Sequence, residues 1–380
     1  MQRIPSNTSI WLNVMRALAA QAVVIGHANY LFFDHAAGTT GVLAWLVNMC
    51  SSGAHKAVIM FFVMSGFLIG GPVIEAMRSQ RFDAFKYFID RLTRLWIVIL
   101  PALLMTALLD GLAFKYGGGD ALLSSRAPFF PEWWSSLEPD SIKTFVLNAF
   151  FLQMIIGFQY GTNLSLWSIS NEFWYYILLP AGFGIFVFKK NARILCLLLS
   201  LFVAFLFIYS AKPNDEGRPL GYFMMFVIWM MGAAAYCFYE NVWRRCFAAF
   251  FLVVGVFMFI LFKRIYPDAL GYDFALGFFT VFLVLISRDI PASYLKKMSD
   301  FFSGYSFSLY ALHLPLTFCI MSFDPQLAAP QPIRYDTVLR FMLYLLAINA
   351  ASILLWALTE RHTATVRRFV FAKLTSPRVA

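Results

Sequence analysis

Charged side chains are scarce in this sequence: Asp, Glu, Lys and Arg make up 13% of 380 residues, while 61% are hydrophobic. An ordinary soluble domain carries about a quarter charged residues, so that class is excluded. Acidic residues are the scarcer sign, 20 against 30 Lys and Arg. The basic excess sits between apolar runs, which argues against a nucleic-acid partner and for a lipid bilayer. Cysteine is also sparse. Cys50, Cys196, Cys237, Cys246 and Cys319 form no CxxC pair and no metal spacing. Neither a metal nor a permanently bound cofactor is expected from them. An internal repeat is missing as well, and with it the paired halves that many secondary transporters show.

What is present is aromatic and apolar: 43 Phe, 17 Tyr and 10 Trp suit lipid-facing helices and interfacial belts. Runs of spanning length lie near 11–33, 57–77, 92–112, 165–188, 193–210, 218–239, 246–262, 268–287, 301–323 and 336–358, with a shorter one at 143–158. The first is long and carries Arg16, so it is expected to stay as a signal-anchor and not to be cleaved.

Lys and Arg decide the orientation. Arg78, Arg81, Lys86, Arg91 and Arg94 mark the loop before the third run as cytoplasmic, which places the N-terminus inside and 113–142 outside. If 143–158 crossed, the basic clusters at 189–193, 244–246, 288–297 and 361–378 would all face outward. If it dips in and returns, all four fall inside, at the cost of Lys263 and Arg264 facing out. The sequence thus predicts an all-α, polytopic membrane protein with about ten transmembrane helices and a re-entrant or interfacial segment at 143–164. Both termini are expected in the cytoplasm. Residues 1–360 form the membrane domain, 361–380 a basic tail, and 116–140 a structured loop at the outer interface.

Ionisable residues inside these runs point to chemistry. Arg16 and His27 share the first run, eleven residues apart. At roughly 100° per residue they fall on one stripe, separated by ~16 Å along the helix. A charge at membrane depth costs ~2.5 kcal/mol or more, so such residues normally face a cavity or a partner. The bland reading is a snorkelling arginine and a core histidine. "FFVMSGFLIGG" (61–71) places Ser65 and Gly66 where two helices can approach closely. Arg91 and Arg94 lie one turn apart, a phosphate-binding fork or a topogenic anchor. "LWSISNE" (166–172) opens a helix with Ser168, Ser170, Asn171 and Glu172, and "SFSLYALH" (306–313) places His313 deep in its run with Tyr310 one turn before.

Taken in order, these segments resemble the acyltransferase-3 family of integral membrane acyltransferases: Arg16 and His27 in the first helix, "FFVMSGFLI", Arg91 and Arg94 leading to Pro101, "LWSISNE", and "SFSLYALH". The resemblance covers residues 11–315. It implies transfer of an acyl group, commonly acetyl from acetyl-CoA, to a hydroxyl of a carbohydrate or glycolipid in the cell envelope, at the bacterial inner membrane. Arg16, Arg91 and Arg94 are then expected to bind the anionic CoA. His27 is expected to act as general base or as transient acyl carrier. Glu172 would orient the imidazole or bind the acceptor, with His313 in support, and Ser168, Asn171 and Tyr310 would line the acceptor site. Residues 55–58 read "HKAV" where many relatives have a Gly/Val/Asp-rich run, a departure on the acceptor side. The competing reading is a secondary transporter or flippase of envelope precursors, which would also use intramembrane charge.

Overall fold

The computed structural model describes residues 4–35, 41–126, 141–153, 155–209, 218–265 and 269–375. Among these, regular structure is helical, with only isolated β-bridges, Phe33 to Gln331 and Gln153 to Gly157. The helices are α1 (Ser6–Phe32), α2 (Val42–Ser51), α3 (Gly53–Ser65), α4 (Gly71–Arg78), α5 (Ala84–Tyr116), α6 (Gly119–Arg126), α7 (Ile142–Ala149) and α8 (Trp167–Val187). They continue as α9 (Lys190–Tyr209), α10 (Arg218–Tyr239), α11 (Arg244–Ile265), α12 (Ala269–Ile286), α13 (Lys296–Gly304), α14 (Ser306–Ser322), α15 (Tyr335–Leu358) and α16 (Thr363–Thr375). A π-helical turn, Gly66–Gly70, joins α3 to α4.

Each of the ten long apolar runs contains a helix. By length and composition, five helical runs can cross a bilayer: Ser6–Phe32, Gly53–Arg78, Ala84–Tyr116, Arg244–Phe262 and Tyr335–Leu374. The shorter apolar helices are Val42–Ser51, Phe223–Tyr239, Gly271–Ile286 and Ser306–Ser322. The chain is a multi-spanning helical membrane protein. In the 143–164 segment, α7 has only eight residues, which reach ~12 Å against a ~30 Å hydrocarbon core. Irregular chain then leads to a 3-10 turn at Leu164–Leu166. Most of the loop expected at 116–140 lies outside the described residues, as does Arg378 of the tail; α16 occupies Thr363–Thr375.

The run expected at 301–323 is two helices. Tyr305 leaves helical geometry (φ −99, ψ 4) between α13 and α14. Its ring is turned inward, 1% exposed. Its hydroxyl donates to Asn349 Oδ1 (2.9 Å) and accepts from Gln21 Nε2 (3.2 Å). Hydropathy alone cannot register such a break, because both sides remain apolar.

The chain divides into two compact units. One comprises Met1–Ala19, His55–Asp83 and Asn171–Ser303, the other Ala20–Ala54, Ala84–Ser170 and Gly304–Ala380. In the first, α10 packs on the π-turn and on α12, and α11 on α12. The first crossing is close because glycines meet backbone: a Cβ at Gly66 would sit 1.8 Å from the Trp229 carbonyl oxygen, and one at Gly232 would sit 1.9 Å from that of Val63. Gly66 is thus a packing residue. In the second unit α14 packs against α5 and α15. Arg126, 1% exposed, ties separate segments of this unit: Nε donates to the Leu31 carbonyl (2.8 Å) and Nη2 to that of Leu327 (3.2 Å). Burial pulls its pKa down to about 10, so it remains a cation facing the C-terminal turn of α1, where the helix dipole favours positive charge.

Candidate functional site

The site grows from one proline. Pro315 lies inside α14 and has no N–H to give the carbonyl four residues back. That carbonyl, on Ala311, accepts instead from Asn163 Nδ2 at 2.8 Å. The same amide reaches Thr106 Oγ1 (3.0 Å), and Asn163 Oδ1 receives Ser165 Oγ (3.0 Å). The neighbouring carbonyl, on Tyr310, accepts from His313 Nδ1 at 2.8 Å and from Ser165 Oγ at 3.3 Å. The loop that supplies these donors is anchored by buried Asp110 of α5, which accepts from Thr162 N (2.8 Å) and Thr162 Oγ1 (2.6 Å). Gly161 allows the approach with φ +53; a Cβ there would stand 2.1 Å from Asp110 Oδ2.

This scaffold fixes the two membrane histidines against each other. His313 is fully buried and His27 partly exposed. Nδ1 of His27 lies 2.8 Å from Nε2 of His313, with the rings parallel to 5°. Their proton positions follow from the chain of bonds. A carbonyl only accepts, so His313 donates from Nδ1 to Tyr310; in a neutral imidazole its Nε2 is then an acceptor. Nδ1 of His27 must donate to it, which leaves Nε2 of His27 carrying a lone pair. The residue hydrogen-bonded to Nδ1 of His27 is His313; orienting that imidazole is one of the two roles expected of Glu172, the other being a bond to the acceptor. Tyr310 points its hydroxyl at Ser168 Oγ and the Ser165 carbonyl (3.2 Å), so Ser168 and Tyr310 do meet.

Glu172 belongs to the other unit. Its Oε1 accepts from Tyr176 OH (2.6 Å) and from Ser65 Oγ, and Ser65 in turn accepts from Trp229 Nε1 (3.1 Å). Three side chains, from α8, α3 and α10, thus gather on one carboxylate oxygen, Trp229 through Ser65. Asn171 is 2% exposed, and its Nδ2 has no partner among the described residues. Ser170 is used structurally, donating to the carbonyls of Phe151 (2.7 Å) and Gln153 (3.1 Å).

The arginines separate. Arg16 is partly exposed on the first half of α1. Arg94 makes an ion pair with Glu360 at 2.7 Å, whereas Nε of Arg91, one turn before it, is buried without a partner among the described residues. Asn163, Ser165, Asp110, Trp229 and Glu360 all escaped the sequence reading. Asp110, an acid within an apolar run, was the most visible signal, and Pro315 implied an orphan carbonyl needing a donor.

No curated protein and no solved structure matches the chain. The acyltransferase-3 family model, described as an acyltransferase domain, matches residues 9–357. That match spans the arginine–histidine helix, the pinned "LWSISNE" turn and the proline-opened helix bearing His313, and the chain belongs to the acyltransferase-3 family.

Proposed function

We propose that the protein is a membrane-bound O-acyltransferase that takes an acyl group, acetyl foremost, from acyl-CoA and delivers it to a hydroxyl of an envelope carbohydrate or glycolipid. The observation that carries this reading is the His27–His313 hydrogen bond, because it leaves Nε2 of the partly exposed imidazole as a base. A hydroxyl attacks a thioester poorly until its proton is taken, and a neutral imidazole does that near pH 7. In the proposed step Nε2 removes the hydroxyl proton as the oxygen bonds to the thioester carbonyl carbon. The C–S bond then breaks, and the departing CoA sulfur receives the proton from the imidazolium. Direct acylation of Nε2 would use the same atom, and trapping an acyl-imidazole separates the two routes.

Arg16 and Arg91 are proposed to hold CoA phosphates at the cytoplasmic face. Ser168 and Tyr310 near the imidazoles, and Glu172 and Asn171 in their own unit, are proposed hydrogen-bond partners of the acceptor. We also propose about ten crossings, with 143–164 turning back on the outer side and both termini cytoplasmic at the bacterial inner membrane. Residues 1–360 then form the catalytic domain and 361–380 a basic tail. Reporter fusions after residues 190 and 375 should both read cytoplasmic; an external signal from both overturns that topology.

The purified protein, given labelled acetyl-CoA and an envelope extract, should release CoA and place label in an alkali-labile ester. Movement of envelope precursors across vesicles without CoA release would favour the transporter reading.

A further inference from the structure

Glu360 lies in the turn between α15 and α16, and its side chain is 3% exposed. A buried carboxylate is strongly unfavourable unless both oxygens are paired. Here both are. Oε1 accepts from Arg94 Nη2 at 2.7 Å; Oε2 accepts from the backbone N of Ser308 at 3.1 Å and from its hydroxyl at 2.8 Å. Ser308 is the third residue of α14, so its N–H is one of the four at a helix start that no helical carbonyl can satisfy. The carboxylate also sits at the positive end of the helix dipole. Arg94 adds a second contact on the same turn, its guanidinium 5.4 Å from the centre of the Phe307 ring.

We infer that Arg94 is a positioning residue for His313 and not a ligand of the donor: with Glu360 it clamps the start of α14, and the phosphate-binding part of the fork falls to Arg91. His313 stands five residues after Ser308 on one short helix, ~7.5 Å further along. Axial shift or rotation at the helix start is therefore carried directly to the imidazole, whose bond to His27 tolerates only a few tenths of an ångström. Withdrawing Arg94 to bind a phosphate would leave Glu360 buried with one oxygen unpaired. Among the described residues, Nε of Arg91 is buried without a partner. Nothing in the spacing of the two arginines distinguishes them; the difference comes from a residue 266 positions later.

The inference rests on the acyl-CoA reading, so CoA release by the unaltered protein is measured first in the same assay; its absence counts against that reading. Steady-state rates are then taken with acetyl-CoA varied for Arg94→Ala, Arg94→Lys, Glu360→Gln and Arg91→Ala, together with equilibrium acetyl-CoA binding. Arg94→Ala and Glu360→Gln should each lower kcat ~10-fold or more with donor KM and binding within about twofold, since only the reacting geometry is disturbed. Arg94→Lys, which keeps a cation for Glu360, should recover most of the rate. Arg91→Ala should raise donor KM ~10-fold with kcat largely kept. If Arg94→Ala fails to fold, Glu360→Gln, which keeps the shape and loses the charge, carries the same test. A ~10-fold loss of acetyl-CoA binding in Arg94→Ala, with Glu360→Gln unaffected, would overturn the assignment.

Discussion

α11 and α14 are both apolar helices, yet they are built for opposite surroundings. Along α14 every residue from Ser308 to Cys319 is buried, and the polar ones all have partners: Ser308 on Glu360, Tyr310 on Ser168, His313 on His27, and Thr317 on the His313 carbonyl. Along α11 large side chains point outward, with Val253 66%, Phe257 61% and Ile260 59% exposed. Such residues suit lipid contact, where no partner is required. The contrast teaches that hydropathy identifies a membrane helix but its polar residues tell which face is built upon. A histidine or serine on α11 would have to be explained; on α14 each one is a joint.

Several substitutions would break or sharpen that contrast, the largest effect first. His27→Ala should reduce transfer ~10²-fold or more, the usual cost of losing a general base. His313→Leu should come close to it, whereas His313→Gln should retain much more, because an amide oxygen near the former Nε2 can still accept from Nδ1 of His27. Initial rates across the set check this, and equal losses in Leu and Gln would mean that His313 acts by bulk alone. Next, Gly66→Ala forces a methyl into the Trp229 carbonyl, so the stability loss should reach or exceed the ~3 kcal/mol upper end for overpacking. Gly182→Ala, where a Cβ meets nothing within 4 Å, should leave the melting temperature in detergent unchanged.

A subtler break is Asn163→Leu, which leaves the Ala311 carbonyl orphaned and should cost ~1–3 kcal/mol. Adding Pro315→Ala restores an N–H at the right position and should recover part of the loss, a non-additivity visible in thermal unfolding of the double variant. At the small end, Val253→Leu or Phe257→Leu on α11 should stay within ~0.5 kcal/mol.

The sequence was legible where the signal is local. Apolar length located the helices, and the ionisable residues inside them singled out His27 and His313. The order of five short motifs carried the family, which the match over residues 9–357 bears out. What was not legible depends on partners far away in the chain. His27 and His313 are 286 residues apart, and no periodicity says that they meet. Glu360 in "LTERH" reads like any acid past a helix end until Ser308 and Arg94 are seen on it. The break at Tyr305 was hidden because both sides of it are apolar and the partners of its hydroxyl, Gln21 and Asn349, are distant in the chain. The short α2 was overlooked because ten residues fall below spanning length.

The two fastenings of α14 also differ in time. The ribosome makes the chain from its N-terminus, so Asn163 already exists when Pro315 emerges, and the orphan carbonyl can be met as the helix enters. Glu360 is made 52 residues after Ser308. The partner of the proline's orphan carbonyl is therefore synthesised before α14 and the partner of its start after it, so a nascent chain halted at residue 358 contains both imidazoles without the carboxylate that holds Ser308.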